Sequence, residues 1–277
     1  MASLFEVLAL KAAEQAAKRY GNCREDTTVD GEAPYVHPPV LHFSSSFSIL
    51  PGAIESMTVD GLKNRAHRFS TIDAAATDLL ERCTGLRELS LLYVQLDSFS
   101  GLPRLPLLRS LHMQGNQIDS FKGLLHQPSL TELNMWGNVL KGFKYFPCLP
   151  HLRELNCSCN RITGQLARLV ARAPKLQVVK LALNPIASEA ELAPLEQLAE
   201  LKHLELYGCP VAKELGEGSP IVHRLRSRGV RVLLQQSVIP VDMMRQLEQM
   251  KECHIKQQQQ TLAVSRLPSI TVTNCNS

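Results

Sequence analysis

Three glutamates, two histidines, a lone tryptophan and a tyrosine fall at matching places in successive stretches of this 277-residue chain. Glu88, Glu132 and Glu154 share one place, His112 and Asn134 another, and Leu92, Trp136 and Tyr207 a third. A row of carboxylates favours a basic or hydroxyl-bearing ligand. A tryptophan flanked by leucine and tyrosine is the kind of anchor whose truncation costs about 2 kcal/mol or more of binding. Neither set suits catalysis. His112 and His203 have no Cys or Ser arranged as a nucleophile, no Gly-rich loop is built to cradle phosphate, and the eight cysteines lack metal-type spacing. These residues therefore point to a binding surface, with no enzyme activity, cofactor or metal expected.

What must position them is a repeat. Leu86, Leu108, Leu130, Leu152, Leu176 and Leu201 each open a stretch reading L-x-x-L-x-L-x-x-N-x-L/I, the first four 22 residues apart and the later ones 24 and 25. The fourth residues (Leu89, Leu111, Leu133, Leu155, Val179, Leu204) and the sixth (Leu91, Met113, Met135, Cys157, Leu181, Leu206) are two apart, on one face of a short strand. The ninth, Asn in four copies from Asn116 to Asn184, predicts a ladder of side-chain amides where each coil turns. This pattern is identified as a leucine-rich repeat. The expected fold is α/β, a curved solenoid with parallel strands on its concave face and helical extensions at both ends.

Alternation then fixes the concave face as the third, fifth and seventh residues of each copy. The third are Glu88, Ser110, Glu132, Glu154, Val178 and His203, and the fifth are Ser90, His112, Asn134, Asn156, Lys180 and Glu205. Leu92, Gln114, Trp136, Ser158, Ala182 and Tyr207 are the seventh. Trp136 is expected to stand exposed near the centre of this surface, where a partner, its strand neighbours or the N-terminal segment could cover it.

A seventh, imperfect copy is expected at Ile54, Met57 and Val59, with an insertion before Leu86. On the opposite side, Phe99, Phe121 and Phe143 mark compact, Pro-punctuated turns, and helices are expected at 165–173 and 189–199. Residues 3–20 read as a helix with Leu4, Phe5, Leu8, Ala12 and Ala16 on one face, free to dock on the first coil, bind a partner or serve as a presequence. A Pro/Ser-rich linker follows. The segment 220–234 reads as a C-terminal cap, and a helix from Val241 to about Gln258 gathers Met243, Met244, Leu247 and Met250 for packing or helix-mediated contact. The expected organisation is 1–50 helix and linker, 51–236 repeat domain with cap, and 237–277 helix and disordered tail.

Composition adds bounds. No apolar run is long enough to cross a bilayer and the N-terminus lacks the order of a secretory signal, so no membrane partner is expected. Unspaced cysteines suit a reducing compartment, cytoplasmic or nuclear, with an assembly-bound or ciliary location also open. A net charge of +4 does not by itself call for nucleic acid. The charge is segregated: 141–180 carries eight Lys or Arg against Glu154, and 189–217 carries seven Glu against Lys202 and Lys213. That could dock an acidic partner.

From Leu86 to about Leu225 the chain resembles the acidic leucine-rich nuclear phosphoprotein family. The resemblance is carried by N-R-I-T-G-x-L at 160–166, L-x-L-x-x-N-P-I at 181–186 and its flank, and L-x-L-x-x-C at 204–209. It implies a non-catalytic protein that binds nuclear proteins such as histones and phosphatases. The family's acidic tail is missing here, since beyond Val241 the acids are Asp242, Glu248 and Glu252, and its C-terminal cap residues are not recognisable in 222–236. The reading is thus a protein-binding scaffold using the concave face. A nuclear regulator of the family type and a structural subunit of a ciliary or ribonucleoprotein particle are the alternatives.

Overall fold

A computed structural model of the chain describes residues 4–20, 54–61, 69–215 and 219–235. Two compact units divide the chain, Met1–Gln235 and Gln236–Ser277, and the described residues all belong to the first. The methionine-bearing helix, the tail and the linker after the first helix lie outside them.

Among the described residues, eight parallel strands form one open sheet in chain order: β1 (Ser56–Asp60), β2 (Glu88–Leu92), β3 (Ser110–His112), β4 (Glu132–Asn134), β5 (Glu154–Asn156), β6 (Val178–Lys180), β7 (His203–Glu205) and β8 (Arg231–Leu233). Their register aligns the copies residue for residue, Leu89 with Leu111, Leu111 with Leu133, and Leu133 with Leu155. The imperfect copy is real, because β1 pairs with β2 and Ile54, Met57 and Val59 are buried. Its insertion holds α2 (Ala74–Arg82), whose N-terminus Asp73 caps through the Ala76 N–H at 2.8 Å. Strand order, register and repeat length together make this a leucine-rich repeat solenoid.

Each coil is held by its asparagine. Asn138 Oδ1 accepts from the Ile118 N–H at 3.1 Å, and its Nδ2 donates to the carbonyls of Met113 and Met135 at 2.9 and 3.1 Å. Asn116 one coil before, Asn160 one coil after and Asn184 two coils after repeat the pattern. Where the sixth copy has Cys209, the thiol donates to the Leu181 carbonyl at 3.2 Å. Behind the ladder a spine of rings fills the outer core: Phe99 stacks on Phe121 at 6.2 Å and Phe121 on Phe143 at 5.7 Å, with Phe146 edge-on at 4.9 Å.

The ends follow expectation in part. The helix α1 (Leu4–Tyr20) docks against β1 and α2, burying Leu4, Val7, Leu8 and Ala12 in the common core. The segment read as a cap is α5 (Pro220–Ser227) followed by β8, so the sheet is extended by another strand before it ends. Of the two outer helices expected, α3 (Leu166–Arg172) forms, but Glu189–Gln197 is a 3-10 helix because Pro194 lies within it. Between β7 and α5 lies the short α4 (Pro210–Glu214).

Candidate functional site

The strand face gathers the third and fifth residues as the pattern requires. Glu132 and Glu154 are paired neighbours on β4 and β5, and Ser110 on β3 stands between Glu132 and Glu88 of β2. Glu154 is exposed, and Glu88 and Glu132 are half-buried. Little on the face answers these carboxylates: Ser110 Oγ donates to Glu132 at a long 3.4 Å, and His112 Nδ1 stands 3.9 Å from the same group. Farther along, Glu205 is better matched, with His203 at 2.8 Å and Lys180 at 3.8 Å. The face is therefore acidic on its β2–β5 side and neutralised at β6–β7.

Asn134 and Asn156 are half committed to the fold, each amide oxygen accepting from the backbone N–H two residues on, Trp136 and Ser158, at 3.1 Å. These bonds turn the chain off the sheet. The eighth residue then adopts the left-handed region in six successive coils: Tyr93, Gly115, Gly137, Cys159, Leu183 and Gly208. Glycine is needed at 115 because a Cβ there would meet the Tyr93 ring at 2.0 Å.

This turn corrects the expectation for the seventh row. Trp136 and Tyr207 are 4% and 7% exposed, and Ser158 and Ala182 are also buried, whereas Leu92 and Gln114 are half-buried. Beyond the three-residue strands alternation no longer governs, and the side chain lies along the surface instead of standing clear of it. Trp136 is thus floor and not protruding anchor. Four enclosed side-chain atoms in the described residues make no hydrogen bond of acceptable geometry: His112 Nδ1, Gln114 Oε1, Trp136 Nε1 and Ser158 Oγ. All four belong to this face, in three adjacent coils.

Burial dominates the titrating groups nearby. It pushes the Cys159 thiol up to about 12, against the pull of the neighbouring Trp136 indole. Tyr93 and Tyr207 are likewise pushed up to about 12, first by burial and then by Asp60 and Glu205 respectively. Cys83, Cys157 and Cys209 are raised by burial too. None of these four cysteines is a thiolate nucleophile at neutral pH. Among the described residues no cluster of His, Cys, Asp or Glu could hold a metal ion.

Comparison with known proteins reaches the repeat and stops there. A family model described as Leucine Rich Repeat matches residues 151–172, a stretch that contains β5 and α3. No curated protein matches the chain. Among solved structures, an internalin of Listeria monocytogenes is 17% identical with a TM-score of 0.45, the match covering 66% of this chain and 48% of that one. The chain thus spans about half the length of that protein. The resemblance to the acidic nuclear phosphoproteins is not supported by these matches.

Proposed function

We propose that the chain is a non-enzymatic protein-binding scaffold that receives its partner on the strand face of the repeat array. The observation that carries this reading is the in-register pairing of Glu132 with Glu154, one coil apart. Like charges on facing strand positions destabilise a sheet, so the fold gains nothing from them. A partner segment bearing Lys or Arg side chains would relieve that repulsion and find Glu88, His112 and Asn134 beside it, with Leu92, Trp136 and Tyr207 as the apolar floor. A reducing compartment, cytoplasm or nucleus, suits this reading, since free cysteines stay reduced there.

The test is recovery of partners by the full chain from cell extract, quantified for wild type and for Glu88→Lys with Glu132→Lys and Glu154→Lys. The triple variant should lose its principal partner by at least roughly tenfold, about 1.4 kcal/mol, with its circular dichroism unchanged. Undiminished recovery by a folded triple variant overturns the reading.

A further inference from the structure

The other side of the same coils carries a second surface of opposite character. The outer segments 98–107, 120–129, 142–151 and 164–175 contain six Lys or Arg and no Asp or Glu. Arg104, Lys122, Lys144, Arg168, Arg172 and Lys175 are all exposed, and none makes an ion pair or side-chain hydrogen bond. Their nearest relative on the rim, Lys141, does have a counter-ion, Asp119 at 3.6 Å. The next coil shows what the fold does with charge it needs: Glu196 holds Arg224 at 2.7 Å, Glu189 accepts from Ser219 at 2.8 Å, and Glu191 accepts from the Gln165 N–H at 3.1 Å. The six cations serve no such purpose.

Apolar side chains stand among them. Four large hydrophobic residues are exposed in the described part of the molecule, and three are on these segments: Leu107 at 44%, Leu125 at 50% and Tyr145 at 47%. We propose that this outer face of the first four full coils docks on the surface of an anionic phospholipid bilayer, the cations meeting the headgroups and Leu107, Leu125 and Tyr145 entering the boundary beneath them. Mobile, laterally adjustable anions suit a spread of unpaired charges, and basic side chains mixed with apolar ones are the composition of interfacial binding. Single-stranded nucleic acid would want free ring faces, and Tyr145, the exposed large aromatic of these segments, already carries the Lys144 ammonium 5.3 Å from its centroid. No helix among the described residues is long and apolar enough to cross a membrane, and a surface contact requires none.

The test is co-sedimentation of the full chain with vesicles of phosphatidylcholine alone or with roughly one third phosphatidylserine, at low and high salt. The chain should sediment with the anionic vesicles in a salt-sensitive manner and remain in solution with the neutral ones. Lys122→Glu with Lys144→Glu should weaken the anionic binding at least about tenfold, and Leu125→Ser with Tyr145→Ser roughly threefold, with circular dichroism unchanged. Glu132→Gln with Glu154→Gln, on the opposite face, should bind vesicles like wild type whether or not the strand face receives a protein. The proposal is overturned if anionic and neutral vesicles bind alike, if neither binds, or if the charge-reversed protein sediments normally. It is also overturned if a single-stranded RNA oligonucleotide binds this face and vesicles do not.

Discussion

Two rows of side chains, two residues apart in every coil, treat buried polar groups in opposite ways. At the ninth position each asparagine uses its oxygen and both amide hydrogens on backbone groups of its own coil and the one before. At the seventh, Gln114 Oε1 and Ser158 Oγ are enclosed without a hydrogen-bond partner, and the Trp136 indole N–H has only the neighbouring Cys159 thiol beside it. A paired buried amide stabilises the turn it closes, while an unpaired one costs about 1 to 3 kcal/mol. The ninth row is therefore an instrument of the fold, and the seventh is tolerated by it. Enclosed polar atoms of this kind in three adjacent coils, beside carboxylates with few counter-charges, contribute nothing to folding.

The largest way to break this contrast is to remove the bulk of Trp136. Trp136→Ala should lower unfolding free energy by about 3 to 5 kcal/mol in urea titration, because the ring is almost wholly enclosed. A change under about 1 kcal/mol would return the ring to solvent and restore it as a protruding anchor. Next in size is Asn138→Ala, which strands the Ile118 N–H and the Met113 and Met135 carbonyls, at about 3 kcal/mol. Asn134→Ala, four residues earlier and with a single bond to the Trp136 N–H, should cost about 1 kcal/mol or less. Equal losses from Asn138 and Asn134 would mean that the ladder has no special place in the fold.

These effects also mark how far the sequence could be read. The fourth, sixth, ninth and eleventh positions were legible because every coil demands the same residue type there, so Leu89, Met113, Asn138 and Ile162 carry their roles in their spacing. The carboxylate row was legible for a different reason, because strand alternation alone assigns the third residue of each copy to the open face. Trp136 and Tyr207 were placed on the right side but at the wrong depth, since alternation was extended past strands only three residues long into a turn governed by the left-handed eighth residue. The strand β8 was hidden because Arg231–Leu233 lacks the leucine spacing and gains its place by pairing with β7. The basic outer face was seen only from Lys141 onward. Arg104 and Lys122 join it through the stacking of coils, which brings together what the chain keeps 22 residues apart, and the lack of counter-ions is a property of contacts that no linear pattern records.

A perturbation between those of Asn138 and Asn134 in size acts on the turn itself. Gly115→Ala places a side chain at φ +67 and against the Tyr93 ring, and should cost about 2 kcal/mol by thermal unfolding. The same turn predicts an alkaline limit. The folded Cys159, Tyr93 and Tyr207 keep their protons above the values of the unfolded chain, so the stability this confers is complete below about pH 9 and drains as pH rises towards about 12. Unfolding midpoints measured across that window should fall, and Tyr93→Phe should flatten the fall. A flat profile in the wild type would place these groups in water.

The smallest expected effect discriminates most sharply between the two rows. Trp136→Phe keeps an aromatic ring in place and removes the enclosed Nε1–H. A strongly used donor would be missed, but an N–H with only the Cys159 thiol beside it is not, and the net change should stay within about 1 kcal/mol. Asn138→Leu makes the matching exchange in the ladder, polar for apolar at similar size, and should still cost about 3 kcal/mol because three backbone groups lose their partner. Urea titration of the two variants side by side reads the difference directly. Should Trp136→Phe fall as far as Asn138→Leu, the indole nitrogen holds a partner in the folded chain, and the seventh row belongs to the fold after all.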